Sequence, residues 1–306
     1  MNNLKEKLSM LVWALEHKRV VYIDYPVHQN VGDQLIWIGA IRLLESRGIE
    51  IIAQFSRYNY SRKKILDLKR QYGDSFSIVL HGGGNWGDIY RTHQECRLRV
   101  IRDFPDMNVV IFPQTVYYVH DKTRESDLRA FSSHKSLQIF VRDSRSLDLL
   151  RGFHLDCKTC PDTAHMLWKD GLLPLAVDGP AEGALVWRRI DKESCAPRIS
   201  GSFDWKQSIS MRRKLWTKSM QLASNLRLGF RADQVIAASW HRVCEQQCVE
   251  TAKVVSRHSS VDTDRLHGHI LASLLSIPNN VGDNSYGKNS SYINEWMNGS
   301  ELVEVH

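Results

Sequence analysis

Residues 19–25 (RVVYIDY) are a β-rich run that stops at Pro26. Residues 33–46 then carry Leu35, Ile38, Ile41 and Leu44 at helical spacing, Gly48 closes that helix, and residues 49–54 form a second β-rich run. Strand, helix and strand in so short a span make a βαβ unit, whose crossover holds the two strands parallel. Residues 77–81, 108–112 and 138–142 are again strand-like, with polar or helical stretches between them. Residues 144–151 open as a helix with Leu147, Leu149 and Leu150 as apolar contacts. Such a chain is constrained to an α/β fold with a parallel sheet covered on both faces, and ligands of these sheets sit at the carboxyl ends of the strands.

At 306 residues the chain is about twice the usual domain size, so two domains or one large α/β domain are expected. Residues 164–182, with Pro174 and Gly179-Pro180 as breakers, read as the connection into a second half. There, residues 184–188 (ALVWR) are strand-like, residues 190–203 read as a mobile polar loop, and residues 206–226 and 244–256 are helix-compatible. Val261 and residues 270–277 supply further core.

No stretch approaches the roughly 20 apolar residues needed to cross a bilayer. Residues 1–10 lack the apolar region and cleavage site of a signal peptide, so a cytoplasmic protein is expected. The net charge of +7 favours contact with anions: nucleic acid, acidic lipid headgroups or phosphorylated metabolites. Basic residues are scattered, however, in short clusters such as Arg62-Lys63-Lys64 and Arg212-Arg213-Lys214, without a zinc-finger, RNA-recognition or helix-turn-helix signature. Nucleic acid is therefore not an expected partner, while peripheral contact with an anionic membrane surface stays open. The cysteines include Cys157 and Cys160, and Cys244 and Cys248; this lacks the paired spacing of a zinc ribbon, and reduced structural thiols are expected, with no metal.

Several strand ends carry groups able to do chemistry. In Asn30-Val31-Gly32-Asp33, Gly32 permits a tight turn, and Asp33 either caps the following helix or grips sugar hydroxyls or positions a base. In His81-Gly82-Gly83-Gly84-Asn85-Trp86-Gly87-Asp88 the glycines satisfy G-x-G-x-x-G, yet the motif follows a later strand than the first and opens no obvious helix. A glycine loop that lets backbone amides approach a ligand, with Asn85 and Asp88 facing the cleft, is expected rather than NAD binding. Phe112-Pro113-Gln114-Thr115 lies just past a strand. Arg142, between a strand and a helix start, either binds a carboxylate or phosphate with its planar fork or pairs with Asp143 or Asp148. Asp162 reads equally as a helix cap.

The densest stretch is Thr263-Asp264-Arg265-Leu266-His267-Gly268-His269-Ile270, followed by Asp283-Asn284-Ser285-Tyr286-Gly287-Lys288. Arg265 and His267 point the same way if the backbone is extended, and His267 can donate to a phosphate or act as a general acid near neutral pH. His269 reads as a supporting core residue. Cations at the ends of a buried apolar segment imply an anion site.

Taken in order, Asn30 to Asp33, Gly82 to Asp88, Phe112 to Thr115, Val141 to Ser144, Pro161-Asp162, Asp264 to His269 and Asn284 to Lys288 resemble the polysaccharide pyruvyl transferase family, closest to its exopolysaccharide-biosynthesis branch. The resemblance spans about residues 20 to 296. It implies a GT-B-like arrangement, in which two Rossmann-like domains with parallel sheets face each other across a cleft. The expected division is residues 1–165 on the acceptor side and residues 166–306 on the donor side. The implied donor is phosphoenolpyruvate, acting as co-substrate with no other cofactor, and the product is a cyclic pyruvate ketal on two hydroxyls of one sugar. The acceptor partner is expected to be a lipid-linked oligosaccharide.

Carried onto this sequence, the resemblance implies that Arg142 and Arg265 hold the donor's anionic groups, and that Leu266 offers its backbone amide. His267 contacts the phosphate or serves as general acid, and Lys288 completes charge neutralisation. Asn30, Asp33, Asn85 and Asp88 fall on the acceptor side, with Asp33 or Asp88 as base or acceptor-orienting group. Specificity is expected from residues 57–71 and 190–205; Tyr58, Tyr60, Trp86 and Tyr90 either stack on sugar rings or fill the core. Two rivals share the basic lining: a glycosyltransferase using a nucleotide sugar, and a non-catalytic sugar-phosphate or lipid-diphosphate binding protein.

Overall fold

The computed structural model describes residues 1–174, 181–189, 202–205, 209–226, 228–283 and 287–305. Two short helices, α1 (Asn2–Lys7) and α2 (Ser9–Trp13), come first. The chain then runs β1 (Arg19–Ile23), α3 (Val31–Ser46), β2 (Glu50–Phe55), α4 (Arg62–Tyr72), β3 (Ser77–Leu80), β4 (Gly83–Gly87), α5 (Arg91–Asp103), β5 (Val109–Tyr117), α6 (Asp121–Ser132), β6 (Leu137–Val141), α7 (Ser144–Leu150) and β7 (Asp156–Thr159). These strands form one parallel sheet in the order β2-β1-β3-β5-β6-β7, with β4 paired to β5. Every residue of β3, and all of β5 but the last, is buried, as expected of strands covered on both faces.

A short 3-10 turn at Thr163–Leu167 leads out of this sheet. A second parallel sheet, ordered β11-β10-β9-β8, contains β8 (Glu182–Trp187), β9 (His258–Thr263), β10 (Asn279–Val281) and β11 (Val303–Val305). Its helices are α8 (Met211–Asn225), α9 (Phe230–Val255), α10 (Leu266–Leu274) and α11 (Lys288–Trp296). The fold is thus mixed α/β with two parallel sheets.

Several local expectations are corrected. The glycine-rich run expected as a loop is strand β4. Gly87 has φ +128°, and a Cβ there would run into the Tyr117 carbonyl, so glycine is needed for the close approach of β4 to β5. Strand β5 continues through Phe112-Pro113-Gln114-Thr115 instead of ending before it. Pro113, which has no N–H, falls where the register with β6 shifts and where the neighbour on the other side changes from β3 to β4. Helix α3 is capped by Asn30, whose Oδ1 accepts the Gly32 amide at 3.0 Å, and not by Asp33.

Helix α9 starts well before residue 244. Ala237, Trp240, Cys244, Cys248, Ala252 and Val255 form its buried stripe at three- and four-residue steps, which suits a helix packed on α3. Across that contact Trp240 Nε1 donates to the Pro26 carbonyl at 2.6 Å, and Arg42 pairs with Glu245 at 3.0 Å. Burial pushes the Cys160, Cys244 and Cys248 thiols up, which suits inert packing. Residues 190–201, most of the expected mobile loop, and residues 206–208 at the expected helix start lie outside the described residues.

Candidate active site

One cavity of about 1030 Å³ collects the loops at the carboxyl ends of β1, β4, β8, β9 and β10. Its volume slightly exceeds the roughly 300–1,000 Å³ usual for a drug-sized ligand, leaving room for two reactants.

The wall from the second sheet is cationic. Arg265 is the N-cap of α10, followed by Leu266 and His267; Lys288 is the first residue of α11, after Gly287 in the left-handed region at φ +72°. All four side chains line the cavity, and the N-terminus of α10 adds positive potential there, whereas at α11 the Asn289 amide is taken by the Asp283 carboxylate at 3.0 Å. Arg265 and His267 therefore meet through a helix start, not through the extended backbone expected from their spacing. The Arg265 guanidinium lies 4.8 Å from the Trp205 ring centroid and donates to Asp204 at 2.6 Å. Lys288 Nζ lies over Gly84, where a Cβ would collide with it.

His267 is wedged between the two halves. A Cβ on Gly32 would sit 2.5 Å from its Nδ1, and its Nε2 is 3.3 Å from Asp162 Oδ2. Asp162 also takes Arg142 Nη1 at 2.6 Å and the Ala164 amide at 2.9 Å. Burial works to raise the Asp162 pKa, but His267 and Arg142 overcome it and hold the carboxyl well below its ordinary range. The ionised Asp162 thus orients the His267 ring.

Arg142 is fully buried and does not line the cavity. Its remaining N–H groups donate to Thr115 Oγ1 at 3.1 and 2.7 Å, and its acidic partner is Asp162, neither Asp143 nor Asp148. Asp143 instead caps α7 through the Ser146 amide.

On the facing wall, Asp33 takes Asn30 Nδ2 at 2.9 Å and lies 3.4 Å from His28 Nε2. Burial works to raise its pKa, but His28, His267, His81 and His93 outweigh it and bring the pKa below its ordinary value, so the group is a carboxylate. Asn30, Asp33 and Asn85 line the cavity, and Asn85 Oδ1 accepts from Arg97. Asp88 is not brought into it: its carboxylate accepts the Val119 and His120 amides at 2.8 and 2.9 Å and faces the His120 ring. Of the aromatic candidates only Tyr90 lines the cavity, while Trp86 and Tyr60 are buried.

Further lining residues not singled out in the sequence are His28, Gln29, Ile89, His93, Arg189 and Ile209; Trp205 closes the segment expected to set specificity, and Lys214 belongs to the short basic cluster at 212–214. His93 Nδ1 donates to Asp24 at 2.7 Å, and its Nε2 accepts from Arg57 at 2.7 Å, since a guanidinium only donates. Asp24 is buried with φ +70°, immediately after β1. His28 lies in the loop after β1 and Arg189 in the loop after β8, so the strand-end rule alone could have found them. His93 lies inside a helix and carries no such signal.

Residues 30–285 match the family model described as polysaccharide pyruvyl transferase. The chain is 31% identical to EpsO of Bacillus subtilis, by name a candidate pyruvyl transferase, over 98% of this chain and 92% of that protein. It is 28% identical to pyruvyl transferase 1 of Schizosaccharomyces pombe, over 94% of this chain and 72% of that protein. In fold it is similar to a functionally uncharacterised protein of Klebsiella pneumoniae, with a TM-score of 0.65 at 20% identity, over 99% and 98% of the two chains. The cavity-lining residues from Asn30 to His267 therefore lie within the matched region, with Lys288 just beyond it, and the chain belongs to the polysaccharide pyruvyl transferase family.

Proposed function

We propose that the protein transfers the pyruvyl group of phosphoenolpyruvate onto two hydroxyls of one sugar in a polysaccharide precursor, forming a cyclic ketal and releasing phosphate. The observation that carries this reading is a single cavity with Arg265, His267 and Lys288 on one wall and the Asp33 carboxylate on the other. A small molecule bearing a carboxylate and a phosphate requires converging cations, and a hydroxyl acceptor requires a base. The two units, residues 1–165 and 166–306, then face each other in a GT-B-like manner, the first holding the acceptor and the second the donor. The donor is a cytoplasmic metabolite, which places the reaction in that compartment, and a lipid-linked oligosaccharide is the acceptor class.

In this reading Arg265 and Lys288, with the Leu266 amide, hold the donor. Arg142 acts from behind by fixing Asp162 and through it His267. A sugar hydroxyl oxygen bonds to C2 of the donor as its proton passes to Asp33, and His267 delivers a proton to C3. The C2–O bond to phosphate then breaks. A second hydroxyl bonds to C2, and its proton leaves with the phosphate, closing the ketal.

Purified protein incubated with phosphoenolpyruvate and an oligosaccharide acceptor should release phosphate only when both are present. Phosphate appearing only with a nucleotide sugar donor would sink the assignment in favour of glycosyl transfer.

A further inference from the structure

Helix α8 has two faces. Its inner face carries Thr217, which accepts from Gln29 at 2.9 Å, and Gln221, which donates to the Val27 carbonyl at 2.7 Å. Both partners belong to the loop after β1 that also supplies His28 and Asn30 to the cavity. On the opposite face Met211, Leu215, Leu222 and Leu226 are 70%, 59%, 63% and 61% exposed. At 3.6 residues per turn these four fall within an arc of about 60°. Exposed basic residues border that ridge, Lys214 and Lys218 along one side and Arg212 along the other, where the half-exposed Trp216 joins it. Helix α8 contains no acidic residue.

We infer that this face of α8 is a docking surface for an anionic lipid bilayer. An apolar ridge of leucines and methionine enters the acyl boundary, flanking lysines and arginines meet acidic headgroups, and a tryptophan sits at the interface between them. Charge complementarity selects this occupant over a second copy of the chain, because two such faces would bring like charges together. Lys214 and Ile209 at the start of the helix also line the cavity, so docking holds the cavity mouth at the membrane surface. The consequence for substrate, resting on the pyruvyl-transfer reading, is that the acceptor is presented on a lipid carrier.

The test is flotation of the intact protein with vesicles that contain neither donor nor acceptor, so its result is independent of the transfer reaction. The wild-type chain should float with phosphatidylglycerol-containing vesicles, not with pure phosphatidylcholine, and binding should weaken at high salt. The double variant Leu215→Glu, Leu222→Glu should lose roughly ten-fold or more in vesicle affinity, and Lys218→Glu should weaken binding at low salt. Circular dichroism melting checks that both variants fold, and turnover on a soluble acceptor should be unchanged. Failure to float, unaltered binding by both variants, or a dimer that the double variant dissolves without any vesicle binding would each overturn the inference.

Discussion

In the proposed reaction the chemistry turns on the contact between His267 and Asp162. Asp162 is held ionised by His267 and Arg142, so its removal should act through the ring it orients. His267→Ala should lower kcat by about 10²–10⁴-fold in a protein that still unfolds cooperatively, the range for loss of a positioned proton donor; near-normal turnover would exclude that role. Asp88 tests the converse. Since its carboxylate accepts two backbone amides and faces His120, Asp88→Ala should cost about 1–3 kcal/mol in urea unfolding while leaving the acceptor KM unchanged. The clustering of Arg265, His267 and Lys288 is legible from the chain because each sits within a short motif at a strand end. The position of Arg142 behind the wall is not, because its partner Asp162 comes from another strand end and only the folded sheet brings them together.

Among elements, the βαβ rhythm of the first half is visible in the apolar periods of β1, α3 and β2, and the structure follows it closely. The glycine-rich run is the instructive miss. Glycines that suggest a ligand loop also permit a strand to approach its neighbour within Cβ distance, and composition does not distinguish the two. Gly87→Ala should therefore destabilise the protein by at least about 2 kcal/mol in chemical denaturation, because φ +128° is strained for alanine and the Tyr117 carbonyl blocks the new methyl. Gly84 stands differently: its missing Cβ leaves space for Lys288 Nζ. Helix α9 was only partly legible because Trp240, an aromatic anchor for the Pro26 carbonyl, lies in a stretch with mixed polar residues whose partner is far away in sequence.

At the scale of the whole molecule, the two sheets share their working edge, and buried neutral histidines sit throughout. Burial holds His81, His165 and His269 down to about 4, 3 and 4, against an ordinary value of 6.5. A depressed histidine pKa means that the folded state binds fewer protons than the unfolded chain. Its contribution to stability is therefore complete above about pH 6.5 and is lost as the pH falls toward 4. The unfolding free energy from urea titrations should fall steeply between pH 7 and pH 5, by on the order of 1–2 kcal/mol for each such group; a flat profile would show that these rings are hydrated.

The central claim is that the cationic and carboxylate walls of one cavity join pyruvate to a sugar. Phosphoenolpyruvate labelled with a carbon isotope at C2, incubated with the protein and an oligosaccharide acceptor, tests it directly by carbon NMR of the product. The label should appear in a quaternary ketal carbon bonded to two sugar oxygens, with one phosphate released for each ketal formed. Label that stays in phosphoenolpyruvate or ends in free pyruvate, with the acceptor unchanged, would contradict it.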